Sequence, residues 1–154
     1  MEYLVRQARI TDIDRFYALC AQEGAVPGGD SPIDAIGLMR QLVYLPNASV
    51  ALVESNHQLA GGAVLGLRPS VRSGGFVGTV DLLVVDPRHD ADRVTDVLLE
   101  EVLRSARNKA CAVVEAAQPD DPAERTRWER QGFTTTGPRI TRSVAAARAA
   151  VRRI

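Results

Sequence analysis

Residues Asp81–Leu99 read DLLVVDPRHDADRVTDVLL. Leu82 to Val85 form the end of an apolar run suited to a buried strand. A short loop containing Pro87 follows. From about Asp92 to Arg107, Val94, Val97, Leu98, Val102 and Ala106 recur at the spacing of one helix face. A strand that feeds a helix through a short loop is the usual scaffold for holding a phosphate-bearing ligand at the helix N-terminus. The chemistry of this loop points the other way. It has no glycine, and Asp90 and Asp92 place two negative charges where an anion would sit. A carboxylate about 5 Å from a phosphate costs roughly 3 kcal/mol at an effective dielectric near 20, so two weaken binding on the order of a hundredfold or more unless offset. Arg88, His89 and Arg93 are near enough in sequence to offset them. Without any ligand, Asp90 and Asp92 are ordinary helix-start residues, which stabilise a helix by about 0.5–2 kcal/mol.

Working outward, FVGTVDLLVV over 76–85 predicts a long strand apolar on both faces and therefore covered on both. The polar loop 68–75 leads into it. Upstream, 49–54 and 59–68 predict two strands joined by a hairpin turn at Ser55-Asn56-His57-Gln58. Residues 3–9 predict the first strand. Thr11 precedes Asp14 at capping-box spacing, and Ile13, Phe16, Tyr17 and Cys20 share a face, which predicts a helix. Ser31-Pro32 followed by Asp34 is a second helix start, with Ile36, Met39 and Val43 as its apolar stripe. Downstream, 111–117 predicts a short apolar strand and 123–131 a helix capped by Gly132. A strand beginning at Phe133 and a last one over 140–144 complete the order β-α-α-β-β-β-α-β-α-β-β. That order specifies an α/β (α+β) fold, with a mixed, mostly antiparallel central sheet and helices on both faces.

A length of 154 residues without repeat or linker fits one domain, residues 1–144, followed by an Arg/Ala-rich tail over 145–154. The formal net charge is zero, so no global field draws the chain to nucleic acid or to a membrane. Beyond the last acid, Glu129, come Arg130, Arg139, Arg142, Arg148, Arg152 and Arg153. No aromatic residue follows Phe133, so this end reads as a solvated face rather than a nucleic-acid contact. Cys20 and Cys111 lie far apart with no CxxC pair, and MEYLVRQAR is unlike a secretory leader. Free thiols in a reducing cytoplasm are expected. With only His57 and His89 in the chain, no metal site is expected. No apolar run approaches a membrane span.

The element order, together with segments 80–99 and 123–133, resembles the GNAT superfamily of acetyl-CoA-dependent N-acetyltransferases. VVDPRHDADRVTDVLLEEVL falls where that family has a strand, a proline turn, a pyrophosphate loop and a long helix. AERTRWERQGF is similar to its late helix, which ends in an aromatic residue, four positions, then Gly-Phe. The resemblance implies a catalytic carboxylate at Asp81. It further implies acyl-group contacts from the backbone at Leu83, Val84 and Val85, and a pyrophosphate loop over Asp90, Ala91, Asp92, Arg93, Val94 and Thr95 with Arg88 nearby. Asp121 falls at the family's late asparagine and Trp128 at its late tyrosine, a frequent general acid.

The departures are as clear. The family loop begins with Gln or Arg where Asp90 stands, and Ala91, Arg93 and Thr95 occupy its small or glycine positions. An indole N–H cannot serve as a general acid, so Trp128 reads as core packing. Leu83 and Val85 are expected to share the strand face of Asp81, so its carboxylate should sit among apolar groups. There it would be paired with an arginine or carry a raised pKa suited to a general base. Two functions stay open. One is an acetyl- or acyl-CoA-dependent N-acyltransferase acting on a small-molecule or peptide amine. The other is a non-catalytic GNAT-fold binding or regulatory protein whose CoA site has decayed. Acceptor contacts would come from residues 22–31 and 68–75, and a homodimer is open as an assembly.

Overall fold

A computed structural model of the protein describes residues 2–27, 34–138, 140 and 142. The expected strand over 140–144 and the tail over 145–154 lie outside the described residues, apart from Ile140 and Arg142, which stand in no strand.

The apolar runs form a five-stranded sheet in the order β1-β2-β3-β4-β5. These are β1 (Leu4–Gln7), β2 (Ala48–Ser55), β3 (Gln58–Ser70), β4 (Gly75–Val85) and β5 (Cys111–Ala116). The first four pair antiparallel, and β5 joins β4 in parallel. The connection between β4 and β5 is helix α3 (Ala91–Asn108), as a parallel pair requires. The remaining helices are α1 (Ile13–Gln22), α2 (Ala35–Leu42) and α4 (Pro122–Arg130). The β2–β3 hairpin turns where expected, and positive φ at both Asn56 and His57 gives the turn a twist that matches its strands.

Helices cover both faces. Ile13, Phe16, Cys20 and Met39 of α1 and α2 pack on Val50, Leu52, Val64 and Val84. On the opposite face Val94, Leu98, Val102 and Ala106 of α3 pack on Ala51, Val53, Ala63, Leu65 and Val80. Two adjacent glycines of β3 make the close approach possible. A methyl at Gly61 would lie 2.7 Å from the Val84 carbonyl and 2.8 Å from Val94, while one at Gly62 would run into the ring of Phe16.

Several local expectations are corrected. The start of α1 is organised by Asp12 rather than by Thr11 and Asp14. Its carboxylate accepts from the backbone N–H of Arg9 (2.7 Å) and pairs with Arg6 and Arg15. Both arginines also reach Glu54 on β2 (2.6 and 2.9 Å), and the Arg6 guanidinium holds the Asp12 carboxyl well below the usual range. The first turn of α2 is capped by Asp34, which accepts from Ile36 N; Ser31 and Pro32 lie outside the described residues. No strand begins at Phe133. Positive φ at Gly132 ends α4 and turns Phe133 back against Trp128, where the rings meet edge to face with centroids 4.9 Å apart and no strand pairing follows. Strand β5 is less buried than its apolar sequence suggests, with Val113 47% exposed. Among the described residues no helix is long and apolar enough to cross a membrane.

Candidate functional site

The sheet opens along β4. Its pairing with β5 runs from Phe76 opposite Cys111 to Val80 opposite Ala116 and then stops. Its pairing with β3 continues to Val85 opposite Gly61. From Asp81 onward β4 therefore has one neighbour. Alternate backbone N–H and C=O groups of this segment point away from β3 into the gap. The gap widens into a cleft of about 630 Å³, floored by residues 80–85 and walled by the chain after β5, α4 and the first turn of α3.

A β-bulge marks the opening. Leu82 pairs with Val64 and Val80 with Leu65, which leaves Asp81 as the extra residue. The bulge shifts the face alternation by one position. Val80 and Leu83 both face α3, while Leu82 and Val84 face α1. Asp81 is consequently not on the apolar face of Leu83 and Val85. It is exposed and lines the cleft, with no arginine paired to it among the described residues. The expected apolar setting of Asp81, on which both its pairing with an arginine and its role as a base of raised pKa depend, is corrected: strict alternation cannot anticipate a bulge.

At the end of β4 the chain turns on Asp86, which is 3% exposed. Its carboxylate accepts from the backbone N–H of Arg88 (3.0 Å) and from that residue's guanidinium (2.7 and 3.1 Å). Those donors lower its pKa to about 2. Arg88 is thereby committed to Asp86 and not to the loop. His89 meets the Tyr3 hydroxyl at 3.4 Å, and that hydroxyl accepts from Asp90 N at 3.0 Å. The Arg93 guanidinium lies over the Tyr3 ring, 5.2 Å from its centroid. Asp90 caps α3 itself, its Oδ1 accepting from Asp92 N (3.1 Å) and Arg93 N (3.3 Å). Two of the amides that an anion would use at this helix end are thus occupied by a side chain of the loop.

Asp92 faces α4. Its Oδ1 accepts from Nε of Arg127 at 2.7 Å, and Arg130 reaches Asp96 at 3.0 Å with Asp92 4.0 Å away. The Arg127 hydrogen bond holds the Asp92 carboxyl below its ordinary value. The cations that offset the loop aspartates therefore include two from α4, some 35 residues downstream. Sequence adjacency pointed only to Arg88, His89 and Arg93. Ala91 and Thr95 line the cleft, and Val94 is fully buried beneath it.

No family model and no curated protein matches the chain. Solved structures do match over nearly its whole length. Glucosamine-6-phosphate N-acetyltransferase from Arabidopsis thaliana is 16% identical, with TM-score 0.74 over 93% of this chain and 99% of that one. A predicted acetyltransferase from Clostridium acetobutylicum, crystallised with acetyl-CoA, is 14% identical (TM-score 0.72, 94% and 98%). A transcriptional regulator from Bacillus halodurans is 11% identical (TM-score 0.77, 92% and 99%). The chain has the fold of the GNAT N-acetyltransferases.

Within this GNAT-type fold, the remaining expected site residues divide. Asp121 caps α4 by accepting from Ala123 N at 3.2 Å, and Asp120 and Glu124 rather than Asp121 line the cleft. Trp128 lines the cleft and also packs on the α3 core and Phe133. The cleft is acidic. Glu23, Asp81, Asp120 and Glu124 line it, against Arg127, which is already paired, and His89. None of those four carboxylates forms an ion pair among the described residues. Neither cysteine lines it. Burial pushes the Cys20 thiol up to about 12 and raises that of Cys111, so neither is an activated nucleophile. Among the described residues no group of three His, Cys, Asp or Glu side chains could hold a metal ion.

Proposed function

We propose that this protein is an acyl-CoA-dependent N-acyltransferase that modifies an amine. The observation that carries the reading is the opening of β4 at Asp81, which puts a carboxylate and an unpaired strand edge in one cleft. Acyl-CoA supplies the acyl group as a thioester. Asp81, open to water, would take the proton that the amine loses as its nitrogen attacks the carbonyl carbon. Backbone N–H groups among Leu83–Val85 that point away from β3 would hold the carbonyl oxygen as negative charge develops on it. The departing thiolate needs little assistance, since a thiol titrates near 8.5. The unpaired carboxylates of the cleft favour a cationic acceptor over an acidic one.

Titration with acetyl-CoA and an assay of CoA-thiol release over a panel of amines test this. Asp81→Asn is expected to lower turnover by about 10²–10⁴-fold with cofactor affinity unchanged. Absence of binding at millimolar acetyl-CoA would sink the reading. One observation favours a second function, that of a non-catalytic binding protein: the Asp90 carboxylate occupies the Asp92 and Arg93 amides. Binding of an amine without any thiol release would support that alternative.

A further inference from the structure

The geometry points to Arg127 of α4, with Arg130 behind it, as the phosphate contact of this cleft, and to Asp92 as the carboxylate that occupies it until a phosphate-bearing ligand arrives. The inference rests on the acyl-CoA reading of the cleft and adds to it a residue from outside the loop.

Three observations carry it. First, the loop is short of donors as it stands, because Asp90 takes the Asp92 and Arg93 amides and Arg88 is held on Asp86. Second, Arg127 is the arginine that lines the cleft, and its guanidinium reaches the first turn of α3. Third, what it holds there is an anion already: Oδ1 of Asp92, at 2.7 Å, with Arg130 4.0 Å from the same oxygen. A carboxylate and a phosphate oxygen are interchangeable partners for a guanidinium fork. The Asp92 side chain is 59% exposed, so it can swing into water when a doubly charged pyrophosphate takes its place. Asp92 would remain in the first turn of α3, where a negative charge is tolerated by the helix dipole. Arg130, anchored on both oxygens of Asp96 at 3.0 Å, keeps α4 seated during the exchange.

The exchange gives the two partners opposite signs in a binding experiment. The full chain and its Arg127→Ala, Arg127→Lys and Asp92→Asn variants are titrated with inorganic pyrophosphate, with CoA, and with S-acetyl-pantetheine, which has the thiol arm but no pyrophosphate. Arg127→Ala is expected to weaken pyrophosphate and CoA by about ten- to a hundredfold, and Arg127→Lys by less. Asp92→Asn is expected to tighten both, by about three- to tenfold, since it removes a competing charge. S-acetyl-pantetheine should respond to none of them. Any other pattern overturns the inference. Weakening by both variants would mean that the pair only fastens α4 to α3. Failure of pyrophosphate to bind either the parent chain or Asp92→Asn would equally overturn it. The two readings can fail separately. S-acetyl-pantetheine binding without pyrophosphate binding removes this inference and spares acyl transfer. Arg127-dependent pyrophosphate binding without any acetyl transfer spares the inference and removes the enzyme.

Discussion

Asp86→Asn isolates the group that shapes the turn between β4 and α3. The carboxylate is buried and receives three hydrogen bonds from Arg88, one from its backbone and two from its guanidinium. In the folded chain it titrates at about 2, against an ordinary value of 3.8. That difference corresponds to roughly 2 kcal/mol of stability. Because the folded-state pKa is depressed, this stability is fully present above about pH 5 and is lost as pH falls through about 4 toward 2. An asparagine has the same shape and cannot carry the charge. Its amide can also place a donor against the Arg88 donors. The variant should therefore be about 2 kcal/mol less stable at pH 7, a melting point lower by roughly 5 °C for a chain of this size. Urea unfolding of both proteins at several pH values measures the difference directly. Other acids with lowered pKa, Asp12 above all, are common to both proteins and cancel. The gap should be constant from pH 7 to about pH 5 and close between about pH 4 and pH 2. A gap that persists unchanged at the lowest pH, or no gap at pH 7, would refute the assignment of charge as the source.

Two further substitutions probe the surroundings of the cleft. Gly62→Ala drives a methyl into the Phe16 ring and to 2.9 Å from Leu52, and should cost about 1–3 kcal/mol by chemical denaturation; a neutral result would show that α1 yields freely. Trp128→Phe keeps a ring against Phe133 and should leave amine acetylation within about threefold, since an indole is no general acid. Loss of turnover in that variant at unchanged melting temperature would place Trp128 in the chemistry instead.

The amphipathic and apolar runs carried most of the fold. Val94, Leu98 and Val102 announced α3, and its capping by Asp90 follows from the loop sequence alone. The site was less legible because its decisive features are non-local. The bulge that frees Asp81 exists only in register with β3, and no feature of VDLL marks it. The pairing of Arg127 with Asp92 joins residues 35 positions apart. Arg127 and Arg130 in the sequence are simply two cations of a short polar helix. Phe133 shows the converse failure. An aromatic residue after a glycine reads as a strand start, yet here it sets its ring edge to face against Trp128 and joins no strand.

The splayed half of β4 also has a cost in local persistence. Amides in Phe76–Val80 lie between two hydrogen-bonded neighbours, whereas half of those in Asp81–Val85 have no strand on their outer side. Opening free energy follows such bonds, so this second half of the strand is where deuterium should enter the sheet interior first. The acyl transfer proposed above would use the outward-pointing N–H groups of the same segment, among Leu83–Val85. An edge left open for a ligand is thus also the least protected stretch of β4.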